Sequence, residues 1–196
     1  MKGKFITIEG PDGAGKTTQV RKISEYLKAK GYKVMVTREP GGTPLGEKLR
    51  EVLLTLDGES PVPEAEALIY AASRAQLVKK VIGPALEEGF IVICDRFVDS
   101  SLAYQGWARG LGIDQLKRIN GWFLRDIWPD LTIVLDIDPA LALKRIGGKK
   151  DRLENETLDF HRKVRDGFLK VGNLSPDRIK ILDASRDPQL LFQSIL

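Results

Sequence analysis

Short apolar runs alternate along the chain with longer amphipathic stretches. Five runs have the length and composition of strands: 5–8, 34–37, 90–94, 131–135 and 179–182. The run after Gly89 is continuously apolar, which is typical of a parallel strand buried on both faces. The stretches between the runs repeat apolar residues with a helical period. We therefore predict an α/β fold in which a five-stranded parallel sheet carries helices on both faces.

Several helix boundaries are marked by capping residues. Thr43 followed by Pro44 predicts a helix that runs to about residue 56, and Asp187 followed by Pro188 predicts the start of the last helix. Further helices are predicted over 16–30, 63–88, 113–126 and 156–171, with a short one from 139. We expect the longest to bend near Gly83 and Pro84, because proline interrupts helical hydrogen bonding.

Length and charge narrow the class of protein. The 196 residues suit a single domain, and a formal net charge of +4 without a basic tail argues against a nucleic-acid partner. No apolar stretch reaches the ~20 residues that span a bilayer, so we expect no membrane segment. The lone cysteine, Cys94, excludes an intrachain disulfide, suits a reducing cytoplasm and is expected to be buried. The lone histidine, His161, lies in a charged stretch, and we expect it at the surface.

A phosphate-binding motif follows the first predicted strand. It matches G-x-x-x-x-G-K-[ST] in full, over Gly10, Pro11, Asp12, Gly13, Ala14, Gly15, Lys16 and Thr17. Glycines allow backbone N–H groups to curl around phosphate oxygens, and the helix that follows adds positive potential. We expect Lys16 to reach the β and γ phosphates and Thr17 to offer its hydroxyl to Mg²⁺. The motif alone predicts nucleotide binding and not the reaction. Together with the features that favour a kinase, it predicts ATP binding within a three-layer P-loop kinase fold.

Other sequence features separate a kinase from a hydrolase. No asparagine is followed by lysine, so the guanine-recognition tetrapeptide of GTPases is absent from the sequence. The third predicted strand ends in Cys94-Asp95-Arg96, where an arginine stands in place of a glutamate that activates water. Arginine suits an anionic acceptor, and Arg38 also follows a strand. Because the carboxyl ends of parallel strands border the ligand crevice, these arginines predict a phosphate-bearing acceptor.

Four segments carry a family resemblance. TREPGGT at 37–43, YAASRAQ at 70–76, DRF at 95–97 and AYQG at 103–106 closely resemble thymidylate kinases of the bacterial type, in order and spacing, along essentially the whole chain. The resemblance implies ATP-dependent phosphorylation of dTMP to dTDP in dTTP synthesis. It also implies Mg²⁺ as cofactor, a homodimer and a cytoplasmic enzyme without nucleic-acid or membrane partners.

The resemblance assigns roles in the dTMP site. Arg38 and Arg96 would hold the acceptor phosphate, and Asp12 would face the sugar 3′-hydroxyl. Tyr70 stands where the family usually has a phenylalanine stacked on thymine, and Arg74, four residues later on the same helix face, would reach an exocyclic oxygen of the base.

The remaining assignments complete the pocket and the nucleotide side. Ser101 would face the N3 edge of the base, Tyr104 would press on the sugar C2′, and Gln105 would line the same pocket. Asp95 would orient Mg²⁺ through water. The segment 183–188 resembles the family's adenine-facing loop.

A basic stretch with adjacent glycines predicts a short lid at about 144–155. The phosphate-binding loop carries Asp12 rather than a cation, so the compensating charge has to come from elsewhere. The Asp-Arg that ends the lid in relatives is matched here at 151–152, which favours Arg152 as the catalytic lid cation over Arg145 and Lys149. Arg145 is alternatively expected to stack on adenine.

Two other functions stay open from the sequence alone. A deoxynucleoside kinase would need a carboxylate base for a neutral hydroxyl, and Glu39 is the nearby candidate. A nucleotide-binding switch or scaffold would need the loop but no acceptor site. An ADP-release assay on a panel of nucleosides and monophosphates separates all three.

Overall fold

A parallel sheet forms the centre of the protein. The structure is a computed structural model that describes residues 3–56, 59–147 and 151–196. Its strands are β1 (Lys4–Glu9), β2 (Val34–Arg38), β3 (Ile91–Asp95), β4 (Leu131–Asp136) and β5 (Ile179–Asp183). They lie in the order β2-β3-β1-β4-β5, and every neighbouring pair is parallel. The predicted five-stranded parallel sheet is confirmed.

The central strand β3 buries side chains on both of its faces, as its apolar run predicts, while the edge strands β2 and β5 stay largely half-buried or exposed. In β3, Ile93 packs with the helices on one face, while Val92 and Cys94 belong to the apolar cluster on the other. Cys94 is fully buried, as expected. Polar strand positions are paired rather than left free, since the hydroxyls of Thr7 and Thr132 meet at 2.8 Å between β1 and β4.

Helices cover the two faces of the sheet. Their bounds are α1 (Lys16–Ala29), α2 (Pro44–Leu54), α3 (Pro63–Leu77), α4 (Gly83–Glu87), α5 (Val98–Ser101), α6 (Ile113–Leu124), α7 (Pro139–Arg145), α8 (Leu158–Leu174) and α9 (Pro188–Ile195). Helices α1, α7 and α9 pack on one face, and α3, α4, α6 and α8 contribute to the clusters on the other. This is the three-layer arrangement that the alternation predicts.

The predicted caps occur in the structure. The hydroxyl of Thr43 accepts a hydrogen bond from the backbone N–H of Gly46, and Pro44 occupies the first helical position of α2. The carboxylate of Asp187 accepts from the N–H groups of Gln189 and Leu190 at the start of α9. These side chains satisfy helix N–H groups that have no partner within the helix.

The long helix predicted over 63–88 is divided by a wider turn. Residues Val78–Ile82 are π-helical between α3 and α4, and the N–H of Gly83 bonds to the carbonyl of Val78, five residues back. Pro84 has no N–H to give to the carbonyl four residues before it, so regular α-helical bonding cannot continue through this turn.

Two predictions on the other face of the sheet are corrected. The stretch after β3, which carried no helix in the sequence prediction, contains α5 and a π-helical segment, Leu102–Ala108. His161 is buried, with 2% of its surface exposed, rather than at the surface. It lies three residues before Val164 and seven before Phe168, so the helical period turns it into the core although charged residues surround it in sequence.

Candidate active site

The phosphate-binding loop joins β1 to α1 and takes a backbone conformation that favours glycine. Gly10, Gly13 and Gly15 have φ values of 131°, 78° and 89°. A Cβ on Gly13 would lie 2.1 Å from the carbonyl oxygen of Ala142. The loop therefore folds closely against α7, and its residues Asp12, Gly13 and Gly15 line an open cavity.

Lys16 lies over this loop as the first residue of α1. Its Nζ donates to the carbonyl oxygen of Pro11 at 2.7 Å, and 8% of its surface is exposed. Burial, and after it the charge of Arg96, lowers the pKa of Lys16 to about 8. An incoming polyphosphate would restore the preference for the charged amine.

Thr17 and Asp95 bring two hard oxygen atoms together beside the loop. The Thr17 hydroxyl donates to the Asp95 carboxylate at 2.8 Å, which links the start of α1 to the end of β3. Among the described residues, no cluster of three or more His, Cys, Asp or Glu side chains forms a protein-only metal cage. One hydroxyl and one carboxylate suit a cation whose other ligands are water molecules and substrate phosphates. Mg²⁺ usually binds proteins in this way.

Arg96 and Asp12, both partly buried, form a hydrogen-bonded group with the buried Tyr104 at the end of β3. Arg96 has a left-handed backbone with φ of 67°, which turns the chain sharply after the strand. Its guanidinium pairs with the Asp12 carboxylate, and the Tyr104 hydroxyl donates to the other Asp12 oxygen at 3.0 Å. Burial opposes ionisation of Asp12, but the charges of Arg96 and Lys16 outweigh it and hold the pKa of Asp12 well below its ordinary value.

A cavity of about 510 Å³, open mouth included, extends from Arg96 into the protein. It is lined by Asp12, Glu39, Pro40, Arg50, Leu54, Tyr70, Arg74, Arg96, Phe97, Ser100, Ser101, Tyr104, Gln105, Asp151 and Leu153. We call it the acceptor cavity. Seven of the eight residues predicted for the dTMP site line it, and Arg38 is the exception.

Arg74 is fixed at the inner end of the acceptor cavity. It is 1% exposed and donates to Glu39 at 2.8 Å, to Asn120 at 2.7 Å and to Ser101 at 3.0 Å. Burial raises the pKa of Glu39 to about 7 against the opposing charge of Arg74. The other carboxylate oxygen of Glu39 is buried and has no hydrogen-bond partner among the residues that the structure describes. Breaking such a buried pair typically costs about 3–5 kcal/mol, so it holds Arg74 in place.

A second, more open cavity lies over the phosphate-binding loop. Its lining includes Lys16, Thr17, Asp95, Arg38 and Arg145. We call it the phosphate cavity. Four residues line both cavities and mark their junction: Asp12, Glu39, Arg50 and Arg96. Arg38 lies at this more open side, half exposed and paired with Glu47 at 2.9 Å.

The two predicted lid arginines have different surroundings. Arg145 lines the phosphate cavity and donates to the carbonyl oxygens of Ala184 and Ser185, so it contacts the segment predicted to face adenine. Arg152 lines neither cavity. It donates to Leu53 O at 2.7 Å and to Glu66 at 2.6 Å. This pair has to open before Arg152 could reach a phosphate. Lys149 and Gly148 of the predicted lid lie outside the described residues.

Sequence reasoning missed several residues of the site. Arg50 lies at the junction of the cavities and donates to Pro40 O, but it is placed by α2 and not by a strand end, which was the signal used. Glu66 and Glu9 are buried carboxylates behind the site. Glu9 accepts from the Phe97 N–H and the Ser100 hydroxyl, and burial, with the charge of Asp99, raises the pKa of Glu9 above its ordinary value.

Three features together define a P-loop kinase: the parallel sheet, the phosphate-binding loop with Lys16, and the arginine-lined acceptor cavity beside it. A family model described as Thymidylate kinase matches residues 8–195. The chain belongs to the thymidylate kinase family.

Individual relatives support this over the full length. Thymidylate kinase of Thermoanaerobacter sp. (strain X514) is 51% identical over 198 residues, covering 100% of this chain and 97% of the relative. That of Deinococcus radiodurans is 53% identical over 187 residues, covering 94% and 90%. The crystal structure of thymidylate kinase from Ehrlichia chaffeensis superimposes with a TM-score of 0.82 at 32% identity, covering 100% of this chain and 97% of that one.

Proposed function

We propose that the protein transfers the γ-phosphate of ATP to the 5′-monophosphate of thymidine, yielding dTDP for dTTP synthesis. The observation that carries this proposal is the junction of the two cavities. A phosphate on a nucleotide in the acceptor cavity would meet Arg96 and Arg50 there, directly beside the loop that would hold the ATP phosphates. Such an arrangement suits an acceptor that is itself a phosphate.

The ATP side would use the phosphate-binding loop from Gly10 to Thr17. Its N–H groups would surround the β-phosphate, and Lys16 would reach toward the γ-phosphate. Arg145 would pack on adenine beside the segment 183–188, whose carbonyls it already contacts. Thr17 and, through water, Asp95 would hold Mg²⁺. When bound, this cation neutralises charge on the transferring phosphoryl group.

The acceptor side follows the cavity inward from the junction. Arg96 would hold the dTMP phosphate, with Arg38 approaching from the open side. Asp12 would accept from the sugar 3′-hydroxyl, and Tyr104 would pack on C2′. Further inside, the residues proposed to contact the base are Tyr70, Arg74, Ser101 and Gln105.

The reaction needs no general base on the protein. A phosphate monoester has a second pKa near 6, so at pH 7 the acceptor is mostly a dianion. Its oxygen attacks the γ-phosphorus as the bond to the β–γ bridging oxygen breaks, and ADP leaves with that oxygen. Lys16 and a lid cation, for which we keep Arg152, would offset the charge, and Arg96 would align the acceptor.

A nucleoside acceptor fits the site less well. It would need a base at its hydroxyl, but one oxygen of Glu39 is already bound to Arg74 at 2.8 Å. The arginines at the junction would also have no anionic group to bind. A switch or scaffold would leave the whole acceptor cavity without a purpose.

We also propose a homodimer in the cytoplasm, both as properties of the family. Within the described residues, none of the helices is long and apolar enough to cross a membrane. Sedimentation equilibrium of the purified chain would test the dimer.

The function is tested by mixing the protein with ATP and Mg²⁺ and following ADP release on a panel of nucleosides and monophosphates. We expect dTMP to be the preferred acceptor. Equal or faster release with thymidine would favour the nucleoside kinase. No release above background with any acceptor would favour the non-catalytic alternative.

A further inference from the structure

A buried carboxylate stands directly behind the wall of the acceptor cavity. Glu66 lies in the first turn of α3, is 1% exposed and does not line the cavity itself. Its Oε1 accepts from the side-chain amide of Gln105 at 2.8 Å, and Gln105 does line the cavity. Glu66 therefore touches the acceptor site through one side chain.

The contact fixes which way the Gln105 amide faces. A carboxylate accepts hydrogen bonds and donates none, so the atom of Gln105 that meets it must be the NH₂ group. The amide oxygen, which is bonded to the same carbon as the NH₂ group, then faces away from Glu66. Within the described residues, no donor forms a hydrogen bond with this oxygen.

Two arginines keep Glu66 in its accepting form. Arg109 donates to both Glu66 oxygens at 3.3 Å, and Arg152 donates to Oε2 at 2.6 Å. Burial alone would raise the pKa of Glu66, but the hydrogen bond from Gln105 and these two cations outweigh it, and the pKa is lowered. Arg109 is itself held by Glu156 at 2.6 Å. If Arg152 leaves, Arg109 still balances the charge.

The orientation of the Gln105 amide can select between bases, because Gln105 lines the acceptor cavity beside other polar side chains. Arg74 and Ser101 line the same cavity, and the Ser101 hydroxyl accepts from Arg74, so its own O–H is available to donate to a carbonyl oxygen of a base. A carbonyl oxygen on Gln105 suits a ring N–H. We propose that Glu66 is a specificity-determining positioning residue: it holds Gln105 with its amide oxygen toward the acceptor, so that the site takes bases with a ring N–H, such as thymine and uracil, and rejects cytosine.

This inference rests on the proposed function, because it assigns a base to the acceptor cavity. The rejection has a simple cause. Cytosine carries a lone pair where thymine and uracil carry N3–H, so two acceptor atoms would face each other without a proton between them. Sites that bind a substrate N–H discriminate strongly against an analogue that lacks it.

The first test is Glu66→Gln, which keeps the size of the side chain and removes its charge. An amide at position 66 can donate to Gln105 and let that amide turn over. We expect the ratio of dissociation constants for dCMP and dTMP, measured by calorimetry without ATP, to fall at least about tenfold. The dTMP-to-dCMP ratio of kcat/KM should fall in parallel.

Arg109→Gln is the matched control. It breaks a buried ion pair of the same cluster but leaves the hydrogen bond between Glu66 and Gln105. We expect a similar loss of thermal stability and an unchanged dCMP-to-dTMP ratio. A Glu66→Gln variant that is as selective as the parent protein would overturn the inference, and so would an Arg109→Gln variant that loses selectivity equally.

Gln105→Met provides a second route if Glu66→Gln folds poorly. Because Gln105→Met removes the amide, this single change should lower the ratio of the dissociation constants for dCMP and dTMP. Adding Glu66→Gln to it should not change the ratio further. An equal additional loss in the double variant would mean that Glu66 acts by another path, which refutes the inference. If the parent protein binds no dTMP, the proposed function fails instead, and the two failures are told apart.

Discussion

Arg152→Ala is expected to separate a catalytic arginine from a structural one. In the structure, the guanidinium of Arg152 donates to Leu53 O and to Glu66, and 10% of the Arg152 side chain is exposed. If Arg152 swings to the transferring phosphate once ATP is bound, its loss should lower kcat at least about a hundredfold, or about 2.7 kcal/mol of transition-state stabilisation. The KM for ATP should change little, because the contact would be made mainly in the transition state.

The structural share of this effect can be worked out from the same contacts. Removing Arg152 deletes two hydrogen bonds, one of them to a charged group, which together contribute about 2–4 kcal/mol. Glu66 keeps Arg109 and Gln105, so no unpaired buried charge remains. For a chain of this size, we expect the melting temperature to fall by about 4–16 °C. Turnover should therefore be measured well below the melting temperature of the variant.

The assay compares kcat and ATP KM of Arg152→Ala and Arg145→Ala with those of the parent. Arg162→Ala is a control, since Arg162 forms an exposed pair with Asp159 on α8 and should leave both constants unchanged. If Arg152→Ala lowers the melting temperature but not kcat, its role is structural. If Arg145→Ala carries the loss of kcat, the lid cation is Arg145, which already lines the phosphate cavity.

Three further predictions concern the two cavities. Lys16→Ala should lower kcat by about 100-fold or more with an unchanged circular dichroism spectrum, because a preorganised cation is lost; near-parent turnover contradicts the assignment. Because the pKa of Lys16 is about 8 without ligand, ATP binding at pH 8.5 should take up a proton, seen by calorimetry in buffers of different ionisation enthalpy, and Lys16→Met should abolish the uptake. Tyr104→Ala should narrow the preference in kcat/KM for dTMP over its ribose analogue, and an unchanged ratio excludes a role for this ring at C2′.

The sequence predicts the sheet and the phosphate-binding loop well, because both depend on local patterns. A central strand that is buried on two faces is mostly apolar, and β3 is apolar from Ile91 to Cys94. A loop that folds as closely as the one at Gly13 tolerates no Cβ, so its glycines are visible in the sequence. Arg96 could be placed at the site from the sequence because the carboxyl ends of parallel strands border the ligand crevice.

Features that depend on tertiary contacts were less visible. The burial of His161 arises from which face of α8 meets the core, while its charged neighbours dominate the local composition. The π-helical segment at Leu102–Ala108 is set by packing on α8, where a Cβ on Gly167 would lie 2.8 Å from Ala103 O. Glu66 could not be found from the sequence, since its partners come from positions 105, 109 and 152.

Three arginines at the acceptor and phosphate cavities are each paired with a carboxylate. Arg96 pairs with Asp12, Arg74 with Glu39, and Arg38 with Glu47. A buried guanidinium without a counterion would be strongly unfavourable, and a free one would have to be ordered when substrate arrives. The carboxylates therefore hold the arginines in place before binding. Asp12 lies inside the phosphate-binding loop, where its negative charge balances Arg96 and cannot offset the charge of a phosphate. In the proposed reaction, compensation for the transferring phosphate would therefore come from Lys16, the bound cation and the segment at 144–155, which is why the identity of the lid arginine matters for this chain.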